Sequence, residues 1–317
     1  MTMSAPDFAE AAETIMNGGL VAMPTETVYG LAADATNDRA VARIFEAKGR
    51  PQFNPLIIHV TGKDMAERYV KFPPLAEKLA RAFWPGPLTL VLPRRDDCAV
   101  SHLVSAGLGT IAVRAPNHAF AQKLIEVVDR PLAAPSANRS GTISPTRTEH
   151  VQASLGDKVD LIIDGGPCSV GVESTIIKVD GDKAILLRPG GIAREDIEDC
   201  VGRSIANGGD TKLPEAPGML ASHYAPRTQL RLNVTMPKSN EAFLAFGASA
   251  SSHPYTLNLS ENGDLLEAAA NLFAHLHALD DLCAAHGLPG IAAAPVPAEG
   301  LGAAINDRLK RAAAPRN

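Results

Sequence analysis

Between Lys48 and His59 the chain reads KGRPQFNPLIIH, which puts two cations, an amide and an imidazole within twelve residues. Lys48 and Arg50 flank a glycine, Asn54 follows in the same irregular stretch, and His59 closes an apolar run. Cations, an amide and an imidazole at such spacing suit anion binding. A pair of cations at a helix end also has a purely structural use, facing the negative end of the helix dipole. For an isolated Lys-Gly-Arg that use is the stronger reading, so the rest of the chain must decide.

The elements around this stretch are legible. Asp38 is the expected N-cap of a helix in which Val41, Ile44 and Phe45 share a face. Gly49 ends it and Pro51 prevents its continuation. Leu56–Val60 then reads as a strand, so the cations sit on a constrained turn.

Other polar clusters occur where strands end. After an expected strand at Leu20–Met23 comes PTETVYGLAAD, in which Thr25, Glu26 and Thr27 interrupt an apolar pattern. Hydroxyl capping of a turn explains this, and so does a small-molecule pocket. In the strand Gly109–Pro116, period-two alternation places Thr110, Ala112 and Arg114 on one face and Ile111 and Val113 on the other. A lone arginine there either reaches the rim or meets an anion. The run from Pro131 to Gly141 carries Ser136, Asn138 and Ser140 among small residues, and GVESTIIKV places Glu173, Ser174 and Thr175 at a strand start. A further strand ends in Arg188-Pro189-Gly190-Gly191. There is no GxxxxGK[ST] loop, and GLGTIA is not a dinucleotide fingerprint.

Composition sets the outer limits. The chain has 317 residues, above the size of a typical single core, so two domains are expected. A net charge of −5 argues against a general nucleic-acid coat while permitting a local basic cleft, and 4% aromatics argues against single-strand stacking platforms. Cys98, Cys168, Cys200 and Cys283 lack metal-ligand spacing and read as reduced thiols. His275 and His277, two apart on one helix, point to different faces and read as surface histidines, as does His286. An acidic N-terminus and the lack of a membrane-length apolar run lead us to expect a cytoplasmic protein without membrane association. Many short strands with interspersed helices indicate a mixed α/β or α+β fold. The Gly-, Pro- and Ser-rich segment 204–229 is the expected linker between domains at 1–203 and 230–317.

Taken together and in order, PTETVYGL, KGRPxxNPLIIH, the Ser-Ala-Asn of 136–138, GVESTII, LLRPG and SHYAP resemble the YrdC-like threonylcarbamoyl-AMP synthases. GLGAAINDRLKRAA near the C-terminus resembles the longer, two-domain form. The resemblance implies a twisted sheet domain with a concave, positive site face, a linker folding over it, and a smaller α/β Rossmann-like domain. It implies a nucleotidyltransferase that joins L-threonine, bicarbonate and ATP, with Mg²⁺, into threonylcarbamoyl-AMP and pyrophosphate. The product would pass to a tRNA threonylcarbamoyl-transfer complex, with at most weak direct contact to tRNA. Carried over by position, Arg50, Asn54, Thr110, Ser136, Ser144, Arg188 and Tyr224 resemble the ATP set. Thr27, His59, Arg114, Ala134 and Ser174 resemble the threonine set, Arg114 being suited to a bidentate grip on a carboxylate. Lys48 and Arg50 resemble the catalytic cations, with Asn138 and Glu173 as supporting groups and no residue assigned to a metal. Gln229 departs from a proline frequent in the family's linker. The alternative is a non-catalytic binder of double-helical RNA or tRNA on the same fold; a hydrogenase-maturation domain is disfavoured because the chain lacks CxxC repeats.

Overall fold

The computed structural model describes residues 5–208, 216–218, 222–248 and 253–315. In chain order the first domain begins α1 (Ala5–Met16), β1 (Val21–Met23), β2 (Gly30–Asp34), α2 (Asp38–Lys48), β3 (Ile57–His59), α3 (Lys63–Ala66) and α4 (Pro74–Phe83). It continues with β4 (Leu88–Pro93), β5 (Thr110–Arg114), α5 (Ala119–Val128), β6 (Leu132–Ala133), α6 (Thr148–Leu155) and β7 (Leu161–Ile162). Then follow β8 (Thr175–Asp180), β9 (Lys183–Arg188), α7 (Arg194–Val201) and β10 (Ala206–Asn207). The second domain holds β11 (Gln229–Arg231), β12 (Glu241–Ala245), β13 (Thr256–Asn258), α8 (Leu265–His286), β14 (Gly290–Ala293) and α9 (Gly302–Ala312).

Among the described residues the first sheet runs β10-β9-β8-β4-β5-β3-β6-β2-β1-β7, with parallel and antiparallel neighbours mixed. The second runs β11-β14-β12-β13 and is parallel throughout, as β-α-β connections require. Ala206 and Asn207 pair with β9, so the first residues of the expected linker still belong to the first sheet. Gln229 opens β11 beside Gly290, where its backbone is already committed to the second sheet. Part of the expected linker, 209–215 and 219–221, lies outside the described residues. Among the described residues, no helix is long and apolar enough to cross a membrane.

Strand alternation separates the two faces of the first sheet. Ile58, Leu90, Ile111, Val113 and Ile177 join the large core with residues of α1, α2, α4 and α5. Their neighbours Ile57, Val91, Ala112 and Ile176 form a separate apolar floor on the other face, touching Leu187 and Ala216. Arg114 continues the Ala112 face, which aims its guanidinium away from the helices.

Local chemistry explains the element ends. The N-cap of α2 is Asn37, one residue before the expected Asp38; its side chain accepts from the N–H groups of Arg39 and Ala40. Asp38 instead occupies the first turn, where its charge faces the positive end of the dipole. Gly49, at φ 59°, closes α2 in the left-handed conformation that a glycine adopts without strain. The PTETVYGLAAD stretch turns back as β2, antiparallel to β1, rather than leading into a helix. No periodicity marks that strand, because all five of its residues are buried.

Candidate active site

The site begins with register. β3 and β5 are parallel, with His59 opposite Arg114, so imidazole and guanidinium emerge side by side at the same end of the sheet. β6 places Leu132 against His59 and leads directly into Ala134, Pro135 and Ser136. β4 and β8 are parallel with Leu88 opposite Thr175, which sets Ser174 at that same end. The Thr89 and Ser174 hydroxyls lie 2.7 Å apart. Arg188 ends β9 and donates through Nε and Nη2 to the Ser174 carbonyl and through Nη1 to that of Pro217.

These groups surround one cleft with about 550 Å³ of empty space. Of the residues expected from sequence, Thr27, Arg50, His59, Arg114, Ala134, Ser136, Ser174, Arg188 and Tyr224 line it, as does Glu173. The structure therefore brings most of both expected ligand sets into one space. Pro217, Gly218, His223 and Tyr224 close it from the segment between the domains.

Lys48, Asn54, Thr110, Ser144 and Asn138 are not among the lining residues. Lys48 is buried, and its ammonium donates to the carbonyls of Ser136 and Asn138, 2.5 and 2.6 Å away. Its own carbonyl accepts from the N–H of Ser140. The cation thus fastens the end of α2 to the 136–140 loop. Asn138 spans that loop, donating to the Arg139 and Thr142 carbonyls. Asn54 is fully buried with both amide atoms unpartnered, while its carbonyl accepts from Arg50 Nε. Thr110 starts β5, about 13 Å along the strand from Arg114. Ser144 donates to Glu173 from behind the cleft wall.

The charge balance in the cleft is positive. Among the described residues, Arg50, Arg114 and Arg188 face it against the single lining carboxylate, Glu173. Arg50 donates to the carbonyls of Asn54 and Pro55 through Nε and Nη2, so the peptide after Pro51 fixes its direction. Burial lowers its pKa to about 10. Burial also drives Lys48 well below the usual lysine range, with Arg50 adding to the effect. His59 and His223 are each pushed down to about 3 by burial, with Arg114 contributing at His59, so both imidazoles are neutral. Glu173 shows the opposite balance. Burial works to raise its pKa, but Arg308 and Arg188, with the Ser144 hydrogen bond, hold it at about 2.

Comparison with known proteins agrees with this geometry. Residues 13–190 match the family model described as telomere recombination, and residues 192–314 match the threonylcarbamoyl-AMP synthase C-terminal domain. A threonylcarbamoyl-AMP synthase of Pyrococcus abyssi is 42% identical over 95% of this chain and 92% of its own. The chain belongs to the threonylcarbamoyl-AMP synthase family. Another relative of that name, from Bacillus subtilis, is 39% identical over 98% of this chain and 94% of its own. The crystal structure of P. abyssi Sua5 complexed with L-threonine superposes with a TM-score of 0.90 at 40% identity. That match covers 99% of this chain and 96% of the other. Within the family this chain has the two-domain form, its second sheet falling inside the C-terminal match.

Sequence reading missed the cleft contributions of Val28, Gly30, Ile57, Pro135, Pro217, Gly218 and His223. Most present backbone or apolar surface, which no residue-type signal marks. His223 stood inside a recognised motif, SHYAP, and was the findable one. It also missed the second domain's contribution. Arg308 of α9 is wholly buried and pairs with Glu173, its Nε 2.8 Å from Oε2. His277 is likewise not a surface histidine: its ring stacks on His150 of α6, centroids 3.9 Å apart. Its Nε2 lies 3.2 Å from the Ser144 carbonyl, so packing between the domains claims it.

Proposed function

We propose that the cleft makes L-threonylcarbamoyl-AMP and pyrophosphate from L-threonine, bicarbonate and ATP. The observation carrying this is the meeting of two residue sets in one space: Thr27, His59, Arg114, Ala134 and Ser174 with Arg50, Ser136, Arg188 and Tyr224. The first set suits a hydroxy-amino acid, with Arg114 for the carboxylate and neutral His59 for a hydroxyl. The second set suits the phosphates of a nucleotide, its arginines held in direction by backbone carbonyls. A carbamate oxygen attacking the α-phosphate brings two anions together, which positioning and fixed cations make feasible without a protein nucleophile. Lys48 takes part in this proposal by shaping the Ser136–Ser140 loop, and Arg50 by facing the phosphates.

Mg²⁺ enters the proposal as the counterion of ATP. Glu173, the only carboxylate lining the cleft among the described residues, has one oxygen on Ser144 and the other on Arg308. Also among the described residues, no cluster of three metal-ligating side chains occurs. The ion's chemistry would be to neutralise phosphate charge, a task Arg50 and Arg188 share. Hand-off of the product to a separate tRNA threonylcarbamoyl-transfer complex is supported by the negative net charge, which disfavours a firm direct grip on tRNA.

The test is pyrophosphate release from the full chain given ATP, Mg²⁺, threonine and bicarbonate. Release is expected only with all substrates present. Equal release without bicarbonate would overturn carbamate formation, and equal release with glycine would overturn threonine as the substrate. A salt-dependent tRNA complex without ATP or threonine binding would instead establish the RNA-binding alternative.

A further inference from the structure

Glu26 has no role in the function derived so far, yet its placement is costly. It lies between Thr25 and Thr27, which both line the cleft, and is 5% exposed. Neither carboxylate oxygen accepts a hydrogen bond among the described residues. Oε1 is nevertheless 2.6 Å from Arg114 Nη2. The two findings are compatible: charge and distance make an ion pair, while the angle falls short of a hydrogen bond. A buried carboxylate held almost by charge alone is an expensive arrangement unless that charge has a task.

The surroundings are built to hold it there. The Thr25 hydroxyl donates to the Val28 carbonyl and receives the N–H groups of Thr27 and Val28, which fixes the turn carrying Glu26. Arg114 is fixed on its other sides, donating from Nε to the Gly86 carbonyl and from Nη1 to the Thr27 hydroxyl. Beyond those two bonds Nη1 keeps one N–H and Nη2 both of its own, so one from each is there for a bidentate carboxylate. The other ionisable groups near Glu26, His118 and Cys168, are held uncharged by burial.

We propose that Glu26 is a specificity-determining residue that acts through Arg114: it admits a carboxylate ligand only when the ligand also brings a positive charge. The proposal rests on the reading that the amino acid docks its carboxylate on Arg114. Glu26 and Arg114 together are neutral. A docked carboxylate alone leaves that buried space one charge negative, with little solvent to screen it. An α-ammonium on the same carbon restores neutrality, so the pair complements an amino-acid zwitterion and opposes a hydroxy acid of the same shape. Glu26 thereby supplies the repulsive half of the selectivity, and Arg114 the attractive half.

The experiment is calorimetric titration of the full chain with L-threonine and with 2,3-dihydroxybutyrate, which carries a hydroxyl in place of the ammonium. Wild type is expected to favour threonine by at least about tenfold in Kd. In Glu26→Gln the hydroxy acid should bind more tightly than in wild type while threonine does not, narrowing the preference to within about threefold. Glu26→Asp should keep it. A merely structural Glu26 would weaken both ligands together, and that result overturns the proposal. So does a wild type that binds both equally, a comparison that needs no variant to fold. If Arg114→Lys leaves threonine binding untouched, the docking reading itself fails, a result separable from failure at Glu26.

Discussion

Arg308 and Glu173 form the deepest charged contact between the two domains. Arg308 Nε sits 2.8 Å from Glu173 Oε2, and Arg308 is wholly shielded from solvent. Glu173 lines the cleft and Arg308 belongs to α9, so a guanidinium of the second domain reaches the site wall, as does Phe273 of α8 against Tyr224. The same guanidinium stands 5.4 Å from the Tyr224 ring centroid and donates to the Pro189 carbonyl. One side chain thus ties the second domain to the residues that close and wall the cleft.

Arg308→Ala is therefore expected to destabilise the protein by about 3–5 kcal/mol, because it leaves Glu173 charged, buried and without its nearest ion partner. Adding Glu173→Gln to the alanine variant should recover part of that loss, since the uncompensated charge then disappears. Urea denaturation of the two single variants and the double variant measures the coupling. Strict additivity would show that the two residues do not act as a pair.

Lys48→Met makes a different kind of test. The ammonium satisfies two buried carbonyls, those of Ser136 and Asn138, and thioether sulfur cannot replace those hydrogen bonds. Expected are faster amide exchange across Ser136–Ser140 and roughly hundredfold slower pyrophosphate release, the scale of a misplaced wall of the site. Lys48→Arg should not rescue either readout, because the guanidinium fork does not fit a pocket made for a compact ammonium. Slow turnover with unchanged exchange would mean that Lys48 acts on the substrate rather than through the loop.

That contrast shows what was legible in the sequence. Lys48 and Arg50 were chemically conspicuous, and alternation correctly set Arg114 on the Ala112 face. What residue types and spacing do not encode is which cation keeps a free edge. The carbonyls of a distant loop claim Lys48, whereas those of Asn54 and Pro55 aim Arg50 at the cleft. Arg308 was hidden for a related reason. On an isolated helix Asp-Arg-Leu-Lys-Arg reads as a solvated charged face, and only the packing of α9 against the first domain buries one of its arginines. Short strands such as β2 and β6 were lost because fully buried segments of two to five residues carry no period.

Gly218 supports a sharper prediction about closure. A Cβ there would come within 2.9 Å of both Arg188 Nη1 and Tyr224 Oη, and its φ of +82° disfavours any other residue. Gly218→Ala should lower activity by displacing the Arg188 guanidinium, and the left-handed backbone should cost about 1–2 kcal/mol of stability besides. Comparing pyrophosphate release with the urea midpoint separates the two effects. A variant as active as wild type would show that the closing segment does not need this close approach.

Acid should weaken the fold before it titrates Glu173. His59 and His223 are depressed to about 3 when folded, against an ordinary value near 6.5 when unfolded. Above pH 6.5 both states hold them neutral, and the full stability is present. As pH falls below 6.5 the unfolded chain takes up two protons that the folded chain refuses, so stability declines until the folded values near 3 are reached. Near pH 5 the slope from these two residues approaches about 2.7 kcal/mol per pH unit. Glu173, at about 2 when folded, adds to the loss only below about pH 4.5. Urea denaturation from pH 7.5 to 5 measures this slope, and His59→Gln with His223→Gln should make it shallower, with His150, also held near 3, keeping part of it. A slope unchanged in the double variant would mean that the two imidazoles are not held neutral by the fold.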